Sequence, residues 1–204
     1  MRNPMAPPKM LYQLKISLSD TQPKIWRRIL IPTSVTFWEL HSSIQDVFHW
    51  NNSHLHMFWY DDKLSREPII FGIPSGDEER ETLPSWKHKI SKYLNLEDPY
   101  LRYVYDLGDD WIHMIELENI LPVEKGVTYP VCIGGKMNAP PDDSGGVWGY
   151  EEMLEILSDP SHEEYEETKE WIDSMNGGTF DPKHFDPAEV RFVDPKQRLK
   201  ESLG

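Results

Sequence analysis

Two histidines one residue apart, His54 and His56, and a turn carrying Asp106, Asp109 and Asp110 with His113 just beyond it are the densest set of chemically capable side chains in the sequence. Residues i and i+2 of a strand point the same way. His54 and His56 can therefore present two imidazole nitrogens to a metal at bond lengths of about 2 Å. An Asp106 carboxylate beside His113 would complete such a shell, or orient an imidazole for acid–base work. The candidate metal set is thus His54, His56, Asp106 and His113. The same residues also have a purely structural use. Histidines next to a turn stack on aromatic rings, and Asp106 and Asp109 accept hydrogen bonds from turn amides. The structural use is the favoured reading. It predicts a non-catalytic binding or accessory protein that needs no cofactor; the alternative is a metal-dependent or DNA-recombination-related activity centred on the His/Asp cluster, with a divalent metal there.

The elements that must position these residues are legible in part. Tyr12, Leu14, Ile16 and Leu18 alternate with polar residues, which predicts a half-buried strand over 11–18. A turn at 20–24 leads to a second strand over 25–31, ended by Pro32. Thr36 and Glu39 have capping-box spacing, and Phe37, Leu40, His41, Ile44, Val47 and Phe48 share one face of a helix over 36–48. Residues 54–60 read as a strand with His54, His56, Phe58 and Tyr60 on one face. The strands 100–107 and 111–121 read as a hairpin through Gly108-Asp109-Asp110. With a loop of 109–110, Asp106 lies opposite His113; with 107–110 it pairs with Trp111 and lies diagonal to His113. Either register puts Asp106 and His113 on one sheet face.

Elsewhere the signals are weaker. Residues 1–9 read as a flexible arm, 68–73 as a short strand, 75–81 as an exposed loop and 90–96 as a short helix or turn. Residues 129–149 read as a long irregular segment, a kind that tends to be functional or draped over another element. Tyr150, Met153, Leu154 and Leu157 predict a helix. A second, beginning at a Ser161/Glu164 capping box and closed by Gly177-Gly178, carries Tyr165, Thr168, Trp171, Ile172 and Met175 on one face and glutamates on the other. Residues 193–204 read as a tail with a short helix after Asp194-Pro195. The sum is a single α+β domain over 10–192, with a largely antiparallel sheet, an N-terminal amphipathic helix and a C-terminal acidic helical segment.

Charge separates the two halves of the chain. The net charge is −14 over 204 residues. Residues 1–100 hold 12 Lys+Arg and 12 Asp+Glu, and 101–204 hold 9 against 23. The acidic half repels phosphate backbones, so DNA is not an expected partner. Lys24, Arg27 and Arg28 form the one basic cluster, but alternation puts the two arginines on opposite strand faces. A serine recombinase needs an activated Ser among several Arg, and no such group is seen. The single cysteine, Cys132, excludes an internal disulfide and sits in an apolar run that suggests filler. The Gly pairs 134–135 and 145–146 lack P-loop spacing. No stretch has the length of a membrane span and no leader pattern is seen, so the expectation is a cytoplasmic protein. The eight tryptophans mostly belong to a core. One or two left exposed near the Gly-Pro loop would mark a binding groove for an unknown protein or small-molecule partner. The Glu163–Glu170 face could serve a basic one.

Taken in order, KIWRRILIP, LHSSIQDVFHW, HLHMFWY, YVYDLGDDWIH, PVCIGG, PPDDSGGVWGY and FDPKHFDPAEV resemble the plasmid pRiA4b ORF-3-like family over about residues 10–192. Members are also described as TnpR-like passenger proteins of insertion sequences. The resemblance implies an α+β domain without an established biochemical activity, and the resolvase label on some members is nominal. Relatives often carry cysteines around the Gly-Pro loop. Here Cys132 stands with Ala139 and Ser144 at the later positions, so a thiolate metal site is not expected.

Overall fold

Strand β1 (Met10–Leu18) lies well inside the sheet because both of its edges are taken. On one side it pairs antiparallel with β2 (Trp26–Pro32), and on the other with β7 (Trp111–Pro122), whose paired residues lie 95 to 112 positions away in sequence. Its alternating residues explain the placement: Leu14, Ile16 and Leu18 are fully buried. A computed structural model of the chain describes residues 9–63, 67–76, 81–176 and 180–204. Most of the predicted arm, part of the 75–81 loop and the Gly177-Gly178 cap lie outside the described residues.

The remaining strands are β3 (His56–Asp61), β4 (Pro68–Gly72), β5 (Thr82–Pro84), β6 (Tyr100–Tyr105) and β8 (Val131–Lys136). The described residues form one eight-stranded sheet in the order β5-β4-β3-β6-β7-β1-β2-β8. Only β4 and β5 pair in parallel. With four helices this is a single-domain α+β fold with a mostly antiparallel sheet. Among the described residues no helix is long and apolar enough to cross a membrane.

Helix α1 (Phe37–Phe48) starts at the capping box read from the sequence: the Glu39 amide donates to Thr36 Oγ1 and the Thr36 amide to the Glu39 carboxylate. It ends at His49, in the left-handed region at φ 57°. Phe37, Leu40, Ile44 and Val47 are fully buried in the core. Its polar side is buried as well, because α4 (Pro195–Leu203) lies across it. Arg198 donates to the Ser42 carbonyl and hydroxyl and pairs with Asp46 at 2.8 Å. Trp38 Nε1 donates to the Pro195 carbonyl. Asp194 caps α4 by accepting from the Lys196 amide. The last ten residues are thus part of the packed body rather than a loose tail.

Three expectations change. The irregular segment contains β8, an edge strand whose glycines lie against other groups: a Cβ on Gly135 would collide with the Phe185 ring. Helix α2 (Gly146–Ser158) begins earlier than its apolar pattern suggests. Ser161 does not cap α3 (Tyr165–Asn176), because its amide and hydroxyl are both bound to Asp159.

Candidate functional site

β6 and β7 join through five residues, 106–110, with Tyr105 opposite Trp111 and Tyr103 opposite His113. Neither expected register is present, and Asp106 does not pair with His113. The reason lies in Asp106 itself. It leaves the ladder in a left-handed conformation, φ 56°, and its Oδ1 accepts from the Gly108 amide at 2.9 Å and the Asp109 amide at 3.4 Å. Such an Asx turn suits Asp, which tolerates the left-handed region. The Asp106 amide donates to the Leu55 carbonyl, which ties the turn to the chain entering β3.

The histidines of the predicted set separate. His56 and His113 are buried, and burial pushes both imidazoles down to about 3. For His113 the backbone oxygens of Trp111 and Tyr103 oppose that shift. His56 stacks on His41 with ring centres 3.6 Å apart. His113 sits edge-on to Phe48 and Trp50, with Nδ1 on the Trp111 carbonyl at 2.8 Å. Both are neutral core rings, and His54 lies outside β3, so the i, i+2 geometry that would have paired His54 with His56 is not formed. His41, unremarked in the sequence except as an apolar-face residue, anchors a buried polar chain. Its Nε2 donates to Asn52 Oδ1 at 2.6 Å, which leaves Nδ1 to accept from the Tyr103 hydroxyl at 2.8 Å. Gln45 donates to the same hydroxyl, and the Asn52 side chain reaches Ser202 of α4.

His54 and Asp106 do come together, and the residue joining them is Asp143, from the Gly-Pro loop. His54 Nε2 lies 3.0 Å from Asp143 Oδ1 and 3.6 Å from Asp106 Oδ2. One donor atom from each of the three falls within 4.8 Å of the others. Asp109 and Asp110 stand outside this group. Asp109 Oδ2 accepts from the Gly145 amide, and Asp110 is exposed at φ 52°. The loop cannot shift away easily, since Gly146 at φ 69° lies so close that a Cβ there would be 2.6 Å from the Asp109 carbonyl oxygen. Beside the cluster, Asp142 is buried; its Oδ2 accepts from the Asn51 amide and, among the described residues, its Oδ1 has no hydrogen-bond partner. Burial raises the Asp142 carboxyl, and the Asn51 amide opposes that shift most. The Asp-Asp-Ser-Gly-Gly run was the available sequence signal for these residues, but only the fold shows which strand ends it meets.

An open groove of about 410 Å³ lies beside this loop, between α2 and α3. Asp143, Glu152, Glu164 and Glu167 provide its charged walls, and Met153, Ile156 and Trp171 its apolar lining. Trp148 on α2 is 85% exposed. It precedes Glu152 by four residues, so the two share a side of the helix.

Of the basic cluster, the two arginines are engaged within the protein, while Lys24 is exposed. Arg27 is buried, stacked 3.7 Å over Phe185, and donates to the carbonyls of Val47, Trp26 and Lys136. Burial lowers its guanidinium to about 9. Arg28 forms a two-point pair with Glu118. Cys132 is half-buried, and burial raises its thiol, the opposite of what a nucleophile needs.

Fold and site together define a class: a single α+β domain in which a Gly-Pro loop closes on the turn of a central hairpin and carries an acidic cluster and groove. The chain belongs to the plasmid pRiA4b ORF-3-like protein family, whose profile matches residues 10–189. It is 35% identical over 167 residues to the uncharacterized protein y4hQ of Sinorhizobium fredii, covering 80% of this chain and 81% of that one. It is also similar to a crystal structure of MM3350, a protein of unknown function from Methanosarcina mazei Go1. That match has a TM-score of 0.83 and 44% identity, over 91% of this chain and 99% of the other. The names of these relatives state no activity.

Proposed function

We propose that this is a non-catalytic, cytoplasmic binding protein whose groove between α2 and α3 takes a Lys/Arg-rich segment of a partner protein. The observation that carries this reading is the make-up of the groove: acidic walls from Asp143, Glu152, Glu164 and Glu167 over apolar Met153, Ile156 and Trp171, with no cationic side chain lining it among the described residues. Lysine and arginine have the matching form, an apolar stem with a charged head. Trp148, exposed on the same side of α2 as Glu152, offers a ring face to a guanidinium. The non-catalytic part rests on the histidines: His41, His56 and His113 are held neutral in the core, away from the groove lining. The plasmid in the family's description supports an accessory role carried with mobile DNA.

The test is fluorescence anisotropy with a labelled Lys/Arg-rich peptide at low ionic strength, with a Glu-rich peptide as control. Binding of the basic peptide that weakens with added salt is expected. The double variant Glu152→Lys, Glu167→Lys should bind at least about tenfold more weakly, since two attractive charges become repulsive. No binding at low salt, or equal binding by the variant, would overturn the reading.

A further inference from the structure

We infer that His54, Asp106 and Asp143 form a binding site for one divalent transition-metal cation of the zinc type. This goes beyond the groove reading and does not depend on it. The first support is spacing. A tetrahedral ion with bonds of about 2.0 Å sets its ligand atoms about 3.3 Å apart. His54 Nε2 lies 3.0 Å from Asp143 Oδ1 and 3.6 Å from Asp106 Oδ2, which brackets that value.

The second support is what those short distances are not. His54 Nε2 is inaccessible to solvent and, among the described residues, has no hydrogen-bond partner, although two carboxylate oxygens stand beside it. Neither oxygen meets the nitrogen in hydrogen-bonding geometry. Asp142, next in the chain to Asp143, adds an independent observation: it is 5% exposed, and among the described residues its Oδ1 has no hydrogen-bond partner. A buried carboxylate oxygen without a donor is costly. A divalent cation at the cluster would offset that cost and balance Asp106 and Asp143.

The surroundings hold the ligands in place. Asp106 Oδ1 is occupied by the Gly108 and Asp109 amides, which leaves Oδ2 to turn toward His54. Orientation of a ligating carboxylate through its other oxygen is a common outer-shell device. The Asp106 amide on the Leu55 carbonyl and the Gly145 amide on Asp109 fasten the three contributing segments to one another. The His54 ring stands edge-on to Tyr105. One imidazole with two carboxylates favours zinc over magnesium, since imidazole suits transition ions and magnesium prefers oxygen and water. Three protein ligands leave a fourth position for water or a ligand atom.

The experiment is calorimetric titration of tag-free, chelator-treated protein with zinc chloride near pH 7, with magnesium chloride in parallel. The wild type is expected to take up one equivalent of zinc and no magnesium at the same concentrations. His54→Gln and Asp143→Asn should each weaken zinc binding at least tenfold while leaving the metal-free unfolding midpoint unchanged. Asn tolerates the left-handed backbone at position 143, φ 61°. Cobalt(II) should give a visible absorption band with the wild type that His54→Gln abolishes. Absence of a zinc equivalent would overturn the assignment. So would zinc binding that persists in both variants, as expected if surface histidines such as His184 held it. His54 is not a groove-lining residue. His54→Gln should therefore lose zinc and keep the basic peptide, so the two readings fail separately.

Discussion

Lowering the pH from 7.5 to 5.5 should destabilise this protein through histidines that stay neutral in the core. His56 and His113 titrate near 3 when folded, because burial disfavours their charged forms. Unfolded, each returns to about 6.5. Between these values the unfolded chain binds more protons, so each ring's contribution is fully present above pH 6.5 and is lost as pH falls from there toward 3. At pH 5.5 the loss is about 1.4 kcal/mol for each histidine, roughly 3 kcal/mol for the two. His41, also lowered by burial, adds in the same direction. The charged and titratable neighbours do not reverse the sign. Arg27 lowers His113 further, and His56 faces His41 and Tyr103. Asp46 and Asp142, raised by burial, act oppositely. Against a total stability of about 5–15 kcal/mol, the loss is large. Urea unfolding at pH 7.5, 6.5 and 5.5 reads it as a falling midpoint at constant slope. His56→Leu removes one titrating ring, and its pH dependence over this interval should shrink by about 1.4 kcal/mol whatever its absolute stability. A midpoint that does not move between pH 7.5 and 5.5 would refute the reasoning, and a variant with undiminished pH dependence would refute the assignment to His56.

Two further outcomes follow from named contacts. Arg198→Ala should cost about 3–5 kcal/mol, because it strands Asp46 under α4 without its partner. The same variant should expose the chain around Asp194 to limited proteolysis. Gly146→Ala should cost about 2 kcal/mol from the left-handed backbone and the approach to Asp109, read as a lower urea midpoint.

Local pattern revealed those parts of the fold that local chemistry determines. The alternation in β1, the Thr36/Glu39 box and the two strands of the central hairpin stand close to where the sequence puts them. The hairpin register was not legible, because Asp106 sends its side chain into the turn and so lengthens the loop. The polar side of α1 reads as solvent-facing until Arg198, 152 residues beyond Asp46, is brought onto it. β8 has two glycines and little strand propensity, and it is fixed by pairing with β2 and by Phe185. Of the candidate site, His54 and Asp106 were visible as residue types. Asp143 was not, because its role depends on how a Gly-Pro loop meets a distant turn.

The position of β7 between β6 and β1 has a consequence for synthesis. Leu18 finds its partner only when His113 exists, and Met10 only when Pro122 does. While the ribosome is making the intervening chain, β1 can be covered by β2 on one side alone. Its other edge, meant for the interior of the sheet, stays open to any extended strand nearby. The last stitch, β7 onto β1, joins the two halves of the sheet and closes the long loop between them, which is the slow kind of contact. A nascent chain stopped before residue 113 would carry that unpaired edge for as long as it persists.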